Sequence, residues 1–546
     1  MKIIQDTETH EGFPAMGALA MALVEETGMR EYIDSMCKYD NARRNLSPGM
    51  AVKAMIGIIF GFRYKSPLSN IFLSYSSAPT DLLFGPRVGR DCLNDSAFGR
   101  ALDTLFLADR KEMVWKCAEM CASKYDLPSH VFHMDATDIS LYAMMQEPRD
   151  GVAVPAYSGH AKDGRDHLVQ YGMICVTDSN GLLRCQIPYS GNASDVVMDR
   201  DMIEFLSEKV ECLRSTVVAD SKMANMETVN MLHEKGLGFV TKCPASFAEK
   251  VRERVLKMSE GKMRPFEGRK GASVYDTDAV AGERTLRFVA YNLGTDEKEG
   301  VDFYLKDGEK KLKSVLGKLM RTEFSCRPDA ERALEEAIAA CGGVAYDISA
   351  KVVPYEVRPR RPVRGRPPKG AEAPPPVTMY KTEASWEFNG NVAKRMTADR
   401  GTQVLVTNLP RADTAAENLR DGARAEDAVK AYLEEYKVEH TYRLMKSGLG
   451  VDSVYLHTPE RENAMMFVIA VATIISNAVD AALARKPGMK VTMNRLCLEM
   501  MPVTVEYDRG DDSMRVRGYE GAGRELLGYL DELGVSHGLL LGRCGE

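Results

Sequence analysis

Two aspartates stand where a divalent cation could be gripped. Asp135 closes the apolar run Val131–Asp135 within His133-Met134-Asp135-Ala136-Thr137-Asp138, and Asp220 closes Thr216–Asp220 in Val217-Val218-Ala219-Asp220. As the first and fourth strands of an open α/β sheet these runs can be neighbours, with both carboxylates at their ends. Close carboxylates repel, and a hard cation with oxygen ligands relieves that repulsion. Taken singly, each aspartate could equally cap a turn, and Asp138 competes with Asp135. A second stretch is basic. Residues 351–370 hold Lys351, Arg358, Arg360, Arg361, Arg364, Arg366 and Lys369 against Glu356, a local charge of 7 − 1 = +6 in a chain of net −6. Arg364-Gly365-Arg366-Pro367 has the form of an AT-hook core, whose extended arginines enter a narrow minor groove, although attraction to a phosphate backbone explains the charge as well. His160, Lys162, Arg165 and His167 make a polar loop that either contacts such a backbone or is simply solvated.

The elements that must position these groups change character along the chain. Residues 1–125 show helical periodicity (Met21, Leu23 and Val24; Met50–Phe62; Ala101–Tyr125) and predict a helical N-terminal domain. From Val131 short β-type runs follow: Val131–Asp135, Val169–Thr177, Leu182–Pro188, Thr216–Asp220 and Gly238–Thr241. Asp178-Ser179-Asn180-Gly181 turns the second into the third, and helical patterns at Val197–Val210 and Met226–Lys235 separate the last three. The order β-β-β-α-β-α-β predicts a mixed sheet with helical crossovers, in a core part spanning 126–244. Residues 245–400 read as a β-rich insertion (Arg284–Asn292, Val344–Val353, Val377–Phe388) with one helix near Ala330–Ala340. Eight of the 24 prolines fall in Pro354–Pro376, so 351–376 reads as an extended basic linker. A second core part covers 401–490, with a strand at Gln403–Thr407 and helices at Ala425–Ser447 and Pro459–Arg485; 491–546 is a C-terminal tail.

The helix at Ala425–Ser447 carries Tyr432, Glu435, Glu439, Arg443 and Lys446. Its spacing resembles the DDE transposases of bacterial insertion sequences, in the branch with a Tyr-x2-Arg-x3-Glu-x6-Lys signature: Tyr432, Glu439 and Lys446 match, and Glu435 replaces the Arg. Tyr442-Arg443-x2-Lys446-Ser447 is similar to the family's aromatic-Arg-x2-Lys-Ser run. Further similar stretches are Leu93-Asn94-Asp95, Gly99-Arg100-Ala101-Leu102-Asp103, Asp135-x-Thr137 with Leu141-Tyr142, Tyr157-Ser158-Gly159-His160, Gly191-Asn192-x-Ser194-Asp195 and Ala219-Asp220-x-x-Met223.

The resemblance implies a ribonuclease-H-like α/β core with Asp135, Asp220 and Glu439 as catalytic metal ligands and a β-rich insertion before the catalytic helix. It implies two Mg²⁺ ions, for which Mn²⁺ can substitute, and Mg-dependent cleavage and strand transfer at the terminal inverted repeats of an insertion sequence. Its partners are then double-stranded DNA, as transposon ends and target, and a second copy in the DNA complex; its place is the bacterial cytoplasm, at the nucleoid. Tyr432, Arg443 and Lys446, with Arg364 and Arg366 of the linker, become the expected DNA contacts. On an ideal helix Lys446 lies 20° short of two turns from Glu439, on one face, while Glu435 lies 40° away and competes with Glu439. Glu435 is expected to face the basic side chains around it. Two alternatives stand: another ribonuclease-H-like nuclease that hydrolyses without joining, and an inactive DNA-binding remnant.

Composition sets the outer bounds. The chain has 546 residues, 45% hydrophobic, 27% charged and 8% aromatic, which fits three to four domains with sizeable cores and excludes global disorder. With 72 Lys+Arg against 78 Asp+Glu it is no polycation, so DNA contact needs local patches. Twelve cysteines lie singly between Cys37 and Cys544 without a CxxC, as reduced core thiols do. Ala15–Val24 lacks the basic lead of a signal peptide, and the apolar run Ala464–Val479, broken by Ser476 and Asn477, predicts a buried helix with no membrane anchor.

Overall fold

The computed structural model describes residues 11–40, 45–61, 71–141, 153–158, 169–190, 195–248, 250–294, 297–358, 375–448, 456, 458–486, 491–508, 513–517, 528–529 and 531–535. Two compact units divide the chain: 1–251, 278–287 and 405–546 form the first, and 252–277 with 288–404 the second.

The first unit opens with helices α1 (Ala15–Glu26), α2 (Pro48–Gly61), α3 (Asp95–Phe106) and α4 (Arg110–Lys124). Asn94 and Asp109 cap α3 and α4 by accepting N–H bonds from Ala97 and Glu112. α1 and α2 cross closely because both present glycine: a Cβ on Gly17 would lie 2.4 Å from the Gly57 carbonyl oxygen. The helices share one hydrophobic core with the sheet that follows, including Leu19, Ile56, Phe98, Cys175, Val438 and Phe467. Position 125 is therefore no packing boundary.

The sheet consists of β1 (Val131–Leu141), β2 (Val169–Asp178), β3 (Leu183–Ser190), β4 (Thr216–Ala219) and β5 (Gly238–Lys242), with α5 (Asp195–Lys209) and α6 (Met226–Glu234) in the crossovers. Its order is β3-β2-β1-β4-β5. β1, β2 and β3 are antiparallel neighbours, while β1–β4 and β4–β5 are parallel. Leu405, Val406 and Thr407 of β6 (Thr402–Thr407) then pair antiparallel with β5. Two readings need correction. Asp135 does not end its strand: β1 runs six residues further because β2 pairs it through Leu141, whereas β4 stops at Ala219. The C-terminal stretch is no loose tail: Thr504–Asp508 pairs with Glu11–Pro14 and with Ser513–Arg517.

After β6 come α7 (Ala425–Leu433), α8 (Tyr436–Arg443) and α9 (Pro459–Ala484). Thr458 caps α9, accepting from the Arg461 N–H, and Pro459 occupies its first turn. α9 is long and apolar enough to cross a membrane on length and composition, and 83% of its most apolar stretch is buried in the unit. It packs against α3, α4 and β3 as a core helix.

The second unit holds helices Glu297–Leu319 and Arg327–Ala340 beside an antiparallel hairpin, Tyr346–Val357 with Val377–Phe388, around Leu312, Leu316 and Cys341. The β-rich reading thus undercounts helix. Glu297–Leu319 is rich in charge, yet Leu312, Val315, Leu316 and Leu319 recur at helical spacing, a signal the β-rich reading leaves out. The basic stretch is also not a free linker from 351: Lys351–Val357 is strand, and Val357 is the register partner of Val377. The ends of the proline-rich segment therefore meet at a hairpin tip. Residues 359–374, with Arg364 and Arg366, lie outside the described residues, as do His160, Lys162, Arg165, His167 and Gly191–Ser194.

Candidate active site

Parallel pairing brings the two aspartates together. Met134 is the register partner of Ala219, so Asp135 and Asp220, each the next residue, leave the β1–β4 ladder side by side. Asp135 Oδ1 accepts its neighbour's Ala136 N–H at 2.8 Å, and Asp220 Oδ1 accepts the Lys222 N–H at 2.8 Å. Thr241 Oγ1 of β5 donates to the Asp220 carbonyl at 2.5 Å, tying the end of β4 to the next strand. Strand alternation sends Asp138, three residues on, to the opposite face from Asp135, while Thr137 shares the Asp135 face.

Helix α8 lies over β1 and β2 on that face. Three side chains fasten it. At its start Lys437 Nζ donates to the Ser179 carbonyl at 2.6 Å, in the turn after β2. In its last turn the buried Tyr442 hydroxyl donates to the Asp135 carbonyl and accepts the Cys175 N–H at 3.0 Å. Beyond it Lys446 Nζ donates to Thr137 Oγ1 at 2.8 Å. Asp135 and Cys175 are register partners across β1 and β2, so the phenol spans one rung of that pair.

The expected single helix over Ala425–Ser447 is in fact broken and widened. A turn at Glu434-Glu435 separates α7 from α8, and a π-turn covers Leu444–Gly448. The ideal-helix phase relating Lys446 to Glu439 consequently fails beyond Arg443. Glu439 and Arg443 are exposed, whereas Tyr432 and Lys446 are half-buried, and Lys446 is bonded to the strand.

Glu435 corrects a second expectation, since it meets acids instead of bases. Burial first, then the negative charges of Asp135, Asp220 and Glu439, push its carboxyl up from the ordinary 4.5 to about 7. Four carboxylates thus share one electrostatic neighbourhood, within β1, just past β4 and around the start of α8. Below them, burial and the Lys437 ammonium hold the imidazole of His133 down to about 3, so it is neutral. Sequence reasoning missed the part of Tyr442, which figured only as the aromatic of a motif. Its one available signal was an aromatic in helical phase with Val438, four residues before it.

All the acidic side chains in this cluster are oxygen donors, the chemistry that suits a hard divalent cation. Among the described residues, no three His, Cys, Asp or Glu side chains converge closely enough to hold an ion in this arrangement. The carboxylates nonetheless feel one another, as the raised Glu435 reflects.

Comparison with known proteins agrees with this layout. Residues 16–119 match a domain of unknown function (DUF4277), and no curated protein matches the chain. Residues 130–475, more than half of the chain, match the transposase DDE domain, and they run from the strand before Asp135 through β1–β6 and α8 into α9. The chain belongs to the transposase DDE family, and the order β3-β2-β1-β4-β5 is the ribonuclease-H-like sheet which that membership implies.

Proposed function

We propose that this chain cuts and joins DNA strands at the terminal inverted repeats of an insertion sequence, with Asp135, Asp220 and Glu439 as the catalytic carboxylates. The observation carrying this is the register of β1 and β4, which sets Asp135 beside Asp220 under the helix that bears Glu439, within a match to the transposase DDE domain. The carboxylates would hold two Mg²⁺ ions, with Mn²⁺ able to substitute, whose chemistry is to polarise the scissile phosphate and lower the pKa of the attacking water.

The chain's own groups supply placement. Asp135 and Asp220 are each tied to a nearby backbone N–H, and drawing them together with Glu439 is a rearrangement that metal and phosphate binding would drive. Arg443 and Lys446, on and just after α8, and Tyr432 before it, would contact the DNA strand, and Arg364 and Arg366 of the basic segment would add duplex contacts. In the first step a water oxygen bonds to phosphorus as the P–O3′ bond breaks, and the leaving 3′-oxygen takes up a proton. In the second that 3′-hydroxyl attacks a target phosphodiester, loses its proton and displaces another 3′-oxygen. The reading implies a cytoplasmic, nucleoid-associated bacterial protein that acts as a homodimer on paired DNA ends.

The test is to incubate the purified chain with linear DNA carrying both flanks of its own reading frame, in Mg²⁺ or in EDTA. Mg-dependent nicks at inverted repeats, followed by joining, are expected. Nicking without joining would point to a ribonuclease-H-like nuclease, and end binding without cleavage to a DNA-binding remnant.

A further inference from the structure

We propose that Tyr442 is a positioning residue for strand cleavage, its hydroxyl fixing the β1 backbone at Asp135 against the helix that carries Glu439. The inference rests on the reading of Asp135 and Glu439 as catalytic carboxylates and adds a residue that contacts neither substrate nor metal.

Three facts carry it. The hydroxyl donates to the carbonyl of Asp135 itself and accepts from Cys175, the register partner, so the ring fixes both strands at the level of the first carboxylate. The side chain is buried in the common core, with Val438 and Met445 on the same helical face, so its ring cannot swing away without opening that core. Third, the other two fastenings of the helix grip the turn after β2 and the Thr137 hydroxyl; of the three, this bond alone holds the Asp135 peptide. Glu439 lies three residues before Tyr442, one helical turn away, so displacement of the phenol moves the helix relative to Asp135.

Tyr442→Phe in the full chain removes one oxygen and keeps the ring. End binding should stay within about twofold, because DNA affinity comes from phosphate contacts elsewhere. The single-turnover nicking rate should fall roughly 10- to 100-fold, the effect of a small misplacement of reacting groups, and half-saturating Mg²⁺ should rise. Two readouts do not depend on cleavage: the midpoint for Mn²⁺ binding should rise, and the Cys175 amide should exchange hydrogen faster. Should the wild-type chain fail to cut DNA, these two alone decide, and a change in both still supports the role while the proposed function falls. A Tyr442→Phe chain with wild-type nicking, metal midpoint and exchange would overturn it. So would a uniform loss of binding and rate tracking a lower Tm, which is a structural role only. Tyr442→Met, smaller but flexible and likewise without a hydroxyl, repeats the test if Tyr442→Phe does not fold; if neither folds while Thr441→Val does, Tyr442 is a folding residue and the proposal fails.

Discussion

Glu435→Gln should make the protein more stable at pH 8 and leave it nearly unchanged at pH 5. Glu435 moves from the ordinary 4.5 to about 7 in the folded chain, through burial and three neighbouring acids. An acid whose pKa is raised by folding contributes stability that is fully present below its unfolded pKa and is lost as pH rises through the folded value. The window is therefore from about 4.5 to about 7. A displacement of that size corresponds to about 3 kcal/mol at 1.36 kcal/mol per tenfold change in proton affinity, and partial solvent screening brings it to roughly 2 kcal/mol. Gln keeps the shape and carries no charge, so the variant escapes this cost above pH 7. Glu462 and Asp480, pushed by burial to about 7 and about 6, titrate in the same direction, so the difference between variant and wild type, not the wild-type slope, isolates Glu435. Thermal unfolding of both chains at pH 5, 6, 7 and 8, without divalent cations, measures it, with a Tm gain that grows through pH 6 and 7 and levels off at a few degrees by pH 8. A variant destabilised equally at every pH would refute the placement of Glu435 among the acids. Added Mg²⁺ should raise the Tm of the wild type at pH 8 more than that of Glu435→Gln, because a cation relieves the same repulsion.

Asp135→Ala and Asp220→Ala should each abolish Mg-dependent nicking while end binding in a gel-shift assay survives; Asp138→Ala, on the other face of β1, should still cut. Replacing Arg364 and Arg366 together with Ala should weaken DNA binding and flatten its salt dependence by about two counterions, read from log affinity against log salt. An unchanged slope would remove the basic segment from the interface. Gly17→Val should cost about 1–3 kcal/mol or more in chemical denaturation, since its Cβ would stand 2.4 Å from the Gly57 carbonyl oxygen.

The sheet was legible in the sequence because its central strands are near-continuous apolar runs punctuated by turn residues. Thr216–Ala219 and Gly238–Lys242 are buried almost throughout, and Gly181 supplies the positive φ that the hairpin turn needs. What stayed hidden was nonlocal. Whether β1 ends at Asp135 depends on β2, whose Val169 pairs with Leu141, and the pairing of Phe13 with Val505 has no local signature at all. The basic segment looked like a linker because proline density reports an extended backbone, whereas the pairing of Val357 with Val377 that brings chain on its two sides together is nonlocal. At the site, spacing found the two aspartates and the helix. An ideal 3.6-residue period could not foresee the turn at Glu434-Glu435, from which α8 starts anew, or the π-turn at Leu444–Gly448.

Burial thus favours Glu435 as the third carboxylate, while its distance from Tyr432 and Lys446 in the family signature favours Glu439. A nicking assay on DNA ends with Glu439→Gln and Glu435→Gln side by side, each first shown to bind those ends, separates them, because Gln preserves the shape and removes the charge that a metal requires. The expected result is that Glu439→Gln binds and does not cut while Glu435→Gln still cuts. Full activity in Glu439→Gln beside a dead Glu435→Gln would contradict the assignment.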